Sequence, residues 1–265
     1  RVDPWRLAGE LTALGLGLPA RWGRLARLGV PVCPVVDGEV LTETPWNALA
    51  NGRAAGSDLL TGHTRDEFRL FSVMMGRIGT FTEEDTRRAL DLFAPPPDGP
   101  ASYRAAYPRA THGELLETVH SDALFRMPTL HLALANHTSG GTSHLFELQL
   151  PAPGAGGLLG ACHSLDVPLA FGTFASPTGR HFFGDQPAPE VVSVSRELQQ
   201  AWIRFAATGD PGWPACEPDR HLTRVLDAES RTVPYPEAAS QRIWADHLPA
   251  PFDVSPALSR SIGMA

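Results

Sequence analysis

Gly160-Ala161-Cys162-His163-Ser164-Leu165-Asp166-Val167-Pro168, followed by Phe171-Gly172, reads as a glycine-bearing loop that carries one histidine. Just before it, Thr142 to Leu150 (Thr-Ser-His-Leu-Phe-Glu-Leu-Gln-Leu) alternates apolar and polar residues at strand period. A second strand-then-loop unit lies upstream. The compact apolar run from Ser57 to Thr64 passes into Gly62-His63-Thr64-Arg65-Asp66-Glu67. In α/β sheets, loops beyond the carboxyl ends of strands converge on one crevice. A carboxylate on one such loop and a histidine on the next can therefore form a hydrogen-bonded pair. The carboxylate fixes the imidazole tautomer and leaves the second nitrogen as a general base. By spacing alone the signal is weak and favours an ordinary loop histidine beside a solvated or salt-bridged acid, and spacing does not choose between Asp66 and Glu67.

Between and around these units the text is mostly helical. Pro45 to Gly52 is expected as a short helix with a glycine stop. Thr82 with Asp85 three residues on is an N-cap signature, followed by an apolar stripe at Ala89, Leu90 and Phe93. Pro95-Pro96-Pro97-Asp98-Gly99-Pro100 stops that helix. Leu115 to Asn136 is expected to be helical with an interruption near Pro128, ending before Gly140-Gly141. Glu190 to Thr208 places Val194, Leu198, Trp202 and Phe205 on one face, closed by Gly209. Trp22 to Leu28 suggests another short helix, and Val30 to Val40 an extended connection with a turn at Asp37-Gly38. The order strand, helices, strand, long helix predicts an α/β protein with few strands for its length.

The 265 residues carry 22 basic and 29 acidic side chains, a net charge of -7. That balance lacks the concentrated positive field that nucleic-acid binding needs, so no such partner is expected. No apolar run of about 18 residues is present, so no membrane-spanning helix is expected. Every basic residue is arginine, which excludes a Schiff-base lysine, a P-loop lysine and a Ser-Lys dyad. Cys33, Cys162 and Cys216 are too few and too scattered for a disulfide framework. The dispersed histidines show no metal-ligand spacing: His131 and His137 are not an i, i+4 pair. No metal and no other cofactor is expected.

The blocks, taken in order, resemble the C-terminal half of a type-B carboxylesterase, the α/β-hydrolase family of bacterial para-nitrobenzyl esterases and cholinesterases. Pro34-Val35-Val36-Asp37-Gly38 with Leu41 and Pro45 resembles one family segment. Leu60 to Glu67 resembles the loop bearing the acidic triad member, and Gly160 to Gly172 the loop bearing the catalytic histidine. Asp122, Phe125 and Pro128 fit a "D-x-x-F-x-x-P" helix. Trp202 to Ala206 with Gly209-Asp210-Pro211 and Trp213-Pro214 fits a late helix and turn. The match spans roughly residues 30 to 245.

The resemblance implies the late strands of an α/β-hydrolase sheet, a helical cap segment and a long C-terminal helix. It also implies Glu67 and His163 as the acid and base of a serine esterase triad. Phe68, Phe71, Met74 and Met75 are expected as apolar lining of the substrate pocket, although ordinary core would use the same residues. The nucleophile is missing: no Gly-x-Ser-x-Gly occurs, and Gly141-Thr142-Ser143-His144-Leu145 lacks the second glycine. Ser164 and Cys162 adjoin His163 and sit on no nucleophile elbow. Asp166 is expected to support the histidine loop. The expectation is therefore a partial domain over residues 1–265, whose partners are a carboxylic ester and an N-terminal segment of the same domain. Two alternatives stay open: a catalytically silent, esterase-like interaction domain or inactive fragment, and a lone α/β binding module. A cytoplasmic and a secreted enzyme are both compatible with the sequence, with the bacterial cytoplasm slightly favoured.

Overall fold

The computed structural model describes residues 3–11, 13 and 34–248. The expected helix at Trp22 to Leu28, the residues of the extended connection up to Cys33, and Cys33 itself lie outside them. The chain divides into two compact units, residues 45–249 and residues 1–44 with 250–265. In the second of these, residues 4–11 are helical and the Asp3 carboxylate accepts the Trp5 N–H. The expected turn at Asp37-Gly38 forms there. Asp37 Oδ1 collects the N–H groups of Glu39, Val40 and Leu41, and Gly38 supplies the positive φ of 77°.

The larger unit is built on a four-stranded sheet in the order β1-β2-β3-β4. Strands β1 (Leu59–Thr64), β2 (Ser143–Leu148) and β3 (Thr223–Leu226) are parallel, and β4 (Arg231–Val233) turns back antiparallel to β3. Between β1 and β2 lie α2 (Arg69–Met74), α3 (Glu83–Phe93), α4 (Gly99–Ala106), α5 (His112–Ser121) and α6 (Met127–Thr138). They follow α1 (Pro45–Ala50), which packs on α6 and sends its Trp46 Nε1–H to the Pro128 carbonyl. After β2 come α7 (Asp166–Phe171), α8 (Pro177–Phe183) and α9 (Pro189–Thr208). Helix α10 (Ala238–Trp244) follows β4.

Local chemistry explains most of these boundaries. Thr82 and Asp85 close a reciprocal capping box on α3, whose Ala89, Leu90 and Phe93 are buried. The expected interruption before Pro128 is a π-helical turn over Asp122–Arg126, after which α6 starts with Pro128 in its first turn. The proline run after α3 ends that helix and also opens the next. Pro100 occupies the first turn of α4, where its missing N–H costs nothing. Helix α9 ends on Gly209 in the left-handed conformation.

The strand expected over Thr142 to Leu150 is present as β2, and every one of its residues is buried. A parallel strand flanked on both sides and covered by helices has no solvent face. Its polar side chains are buried with partners: Ser143 Oγ donates to the Ala133 carbonyl, and His144 Nδ1 lies 3.0 Å from the Trp213 carbonyl. The long helix is not the last element, since β3, β4 and α10 follow it. Those strands have only four and three residues, too short to declare a period.

The core lies between β2 and the helices that follow it. Leu148, Leu159, Leu165, Leu169, Leu198 and Leu226 are its fully buried centre. Helix α9 packs along α7, and its Trp202 meets the Phe146 ring edge-on at 5.1 Å. On the other side β1 approaches closely because it carries Gly62 opposite Phe146. A Cβ at Gly62 would clash with the edge of the Phe146 ring and with the Phe146 carbonyl. Residues 65–67 follow β1 directly, and residues 160–166, reached from β2 through a turn at Gly154–Gly157, lie beside them, with Asp66 and Cys162 paired in an isolated parallel bridge.

Candidate active site

The chain after β1 turns at once so that Glu67 points back into the protein. Glu67 Oε1 accepts the Thr64 N–H at 2.8 Å, an Asx-like local closure that fixes the carboxylate. The residue is 4% exposed. Its other oxygen, Oε2, lies 2.7 Å from His163 Nδ1. The two predicted residues, far apart in sequence, are thus joined by a charge-assisted hydrogen bond. The His163 side chain keeps 36% exposure, so the pair is buried at the acid and open at the base.

The hydrogen bond from Glu67 raises the His163 pKa above its ordinary 6.5, against the opposing effect of burial, and the negative charge of Asp166 adds to the rise. With Nδ1–H held by the carboxylate, the neutral tautomer presents Nε2 as the proton acceptor. Asp166 opens α7 three residues on. Burial, followed by the nearby Glu67, pushes its carboxyl above the usual range. Ser164, adjacent to His163, takes φ 64°, a left-handed conformation that a non-glycine residue adopts only when its surroundings impose it.

Two phenyl rings flank the imidazole. Phe71 lies 5.5 Å and Phe125 4.8 Å from its centroid. Phe71 was among the expected lining residues. Phe125, on the π-helical turn, was noted only as part of the helix pattern, and nothing local in the sequence marks it as facing His163. Phe68 stacks on His120 at 4.0 Å and meets Phe71 at a tilt at 5.3 Å, one ring farther from the imidazole. Met74 and Met75, at the end of α2, are 74% and 53% exposed. The structure therefore sets Phe71 against His163, Phe68 behind it and the two methionines at the surface.

Beneath the acid loop lies a buried polar cluster that sequence reasoning missed. Arg126 donates from Nη1 to Asp122 Oδ1 at 2.9 Å and from Nη2 to the Arg65 carbonyl. Asp122 also accepts the Tyr103 hydroxyl at 2.7 Å, which in turn accepts from Trp244 Nε1–H at 2.7 Å. His63 Nε2 lies 3.0 Å from the Tyr235 hydroxyl, and burial lowers its pKa, which keeps it neutral. Glu147, fully buried on β2, faces Glu237. Burial and then that neighbour push its pKa up. Burial works against charge on Glu237 too, but the bond to Glu147 and the Arg126 guanidinium outweigh it and hold its pKa down. One oxygen of each carboxyl, Oε2, is buried with no hydrogen-bond partner, and the opposed shifts favour a protonated Glu147 beside an ionised Glu237.

Among the described residues no three His, Cys, Asp or Glu side chains gather where they could hold a metal ion. No helix among them is long and apolar enough to cross a membrane.

Comparison with known proteins agrees with the family resemblance and with the fold. The sequence profile of the carboxylesterase family matches residues 20–238. A para-nitrobenzyl esterase of Bacillus subtilis is 29% identical over 217 residues, covering 79% of this chain and 42% of that protein. The bile salt-activated lipase of Homo sapiens is 28% identical over 200 residues, 67% of this chain and 25% of its own length. Among solved structures, a Geobacillus stearothermophilus carboxylesterase superposes with a TM-score of 0.67 at 27% identity, over 82% of this chain and 45% of that one. The chain spans less than half the length of these relatives.

Proposed function

The chain belongs to the carboxylesterase family, with the α/β-hydrolase architecture of its structural neighbours, and from that premise we propose that it supplies the acid and base of a serine esterase. The nucleophile and oxyanion hole come from a segment outside these 265 residues. The observation that carries the proposal is the 2.7 Å bond between Glu67 and His163, held on loops that follow adjacent parallel strands. In the proposed reaction a serine attacks the ester carbonyl while His163 Nε2 accepts its proton. The imidazolium, stabilised by Glu67, then returns that proton to the leaving alkoxide. Water, activated by the same imidazole, releases the acid.

Three features support the missing half. No Gly-x-Ser-x-Gly occurs in the sequence. The relatives are more than twice as long as the region matched. Among the described residues β1 carries a strand on one side only, and its open edge offers unpaired N–H and C=O groups to a further strand. The ester's apolar portion is placed against Phe71 and Phe125, with Phe68 behind and Met74 and Met75 at the rim.

The test is covalent labelling by a fluorophosphonate probe. The chain alone is expected to remain unlabelled, and co-expression with the product of the reading frame on its 5′ side to yield a complex labelled on the partner segment. His163→Ala should abolish that labelling while the complex persists. A stable complex that never labels would overturn the esterase reading in favour of a silent interaction domain.

A further inference from the structure

The carboxylate next to Glu67 has a separate task. Asp66 Oδ2 accepts the Ala161 N–H at 2.9 Å, and the Asp66 N–H donates to the Ala161 carbonyl at 2.8 Å. The backbone bond belongs to an isolated parallel bridge of Asp66 with Cys162, apart from the ladder that joins β1 to β2, and the carboxylate contact is additional to it. One residue separates this double contact from the acid, since Asp66 precedes Glu67. On the other side Ala161 lies two residues before His163.

Two further details show that the contact is built into the loop. Gly160 has φ 58°, and a Cβ there would sit 2.5 Å from Asp66 Oδ2. The carboxylate approaches over the face that only glycine leaves open. Beyond His163, Ser164 is held at φ 64°, so the loop occupies a conformation that needs an external restraint. Ala161 and Cys162 are fully buried, and their backbone has no water with which to replace the lost partner. Arg65 forks over both Asp66 oxygens at 2.9–3.2 Å, but that ion pair is partly exposed, and exposed pairs contribute little.

We infer that Asp66 is a positioning residue: its carboxylate ties the histidine loop to the acid loop through the Ala161 N–H and so sets the Glu67–His163 distance. The inference rests on the reading of Glu67 and His163 as an acid–base pair. It assigns Asp66 no contact with substrate and no proton transfer. Its effect is on the imidazole, which Glu67 and Asp166 face as charged groups and Phe71 and Phe125 flank as rings.

The experiment is an NMR titration of the histidines in the 265-residue chain, which needs no nucleophile. In the unsubstituted chain His163 is expected to titrate above 6.5 and to show a downfield Nδ1 proton. In Asp66→Ala the midpoint should fall to about that of a free imidazole and the downfield proton should vanish. Gly160→Ala should do the same, because its Cβ displaces the carboxylate. Asp66→Asn, whose amide oxygen can still accept from Ala161, should keep the unsubstituted behaviour, and so should Arg65→Gln. The signal of His144, buried against Trp213, reports whether each variant is folded; if Asp66→Ala is not, Gly160→Ala and Asp66→Asn decide. A folded Asp66→Ala or Gly160→Ala with His163 unchanged overturns the inference. So does a folded Asp66→Asn that loses the raised midpoint, since charge and not the strut would then be responsible. An unsubstituted chain in which His163 titrates as a free imidazole removes the acid–base pair itself, a failure distinct from the others.

Discussion

In the complex proposed above, replacing His163 with alanine is expected to lower kcat for ester hydrolysis by about 10⁶, the loss seen when the base of a serine triad is deleted. KM should change little, because the imidazole acts on the reacting proton and not on the bound ester. Glu67→Gln is expected to cost about 10⁴, since the amide can donate to Nδ1 and hold the imidazole in the wrong tautomer. The pH dependence has a definite sign. His163 must be neutral to accept a proton, and the bond from Glu67 raises its pKa above 6.5. The acid limb of kcat/KM should therefore have its midpoint above 6.5, with activity rising as pH rises through it. Glu67→Gln should move that midpoint down. A kcat unchanged in Glu67→Gln would remove this residue from the proposed triad and return the role to another acid.

The two loops of this site were legible in the sequence because their signals are local. A short apolar strand passes into a polar turn, and a glycine-bearing loop carries one histidine between small residues. The choice of Glu67 over Asp66 rested on resemblance, since both are carboxylates on the same turn. Only their oxygens separate them: those of Glu67 reach Thr64 and His163, those of Asp66 reach Ala161 and Arg65. Phe125 stayed hidden because its approach to His163 depends on the π-helical turn, which rotates the helix face in a way that no 3.6-residue period records. Helix α4 was missed for a different reason: Pro100 reads as a breaker in sequence, and the same residue is tolerated in a helix's first turn.

The buried cluster under the acid loop was least legible, and for a general reason. Alternation assigns polar residues of a strand to water, so Glu147 reads as a surface residue of β2. Its true surroundings come from Glu237, Gln149 and His63, and Arg126 reaches the same region from the π-helical turn. Burial of these groups is a tertiary event. It is affordable only because Arg126 and one retained proton offset the carboxylates.

That balance makes the second large effect, on stability. Arg126 is 6% exposed and its guanidinium faces Asp122, Glu237 and Tyr235. Arg126→Met is expected to destabilise the fold by about 3–5 kcal/mol, the cost of leaving buried charge without its partner. It also frees the Arg65 carbonyl, loosening the loop that presents Glu67. Glu147→Gln should act in the opposite sense. The Glu147 pKa is raised from 4.5 to about 9, so between those values the folded chain keeps a proton that the unfolded chain has released. Its contribution is fully present below 4.5 and is lost as pH rises through about 9, with a slope of up to about 1.4 kcal/mol per pH unit. Glutamine mimics the protonated carboxyl at every pH, so the variant should lack this slope and gain most over the unsubstituted chain near pH 9. Urea melts of the three proteins at several pH values measure both effects. If Arg126→Met melts like the unsubstituted chain, the cluster is not held by that cation, and if Glu147→Gln keeps the alkaline slope, the proton resides elsewhere.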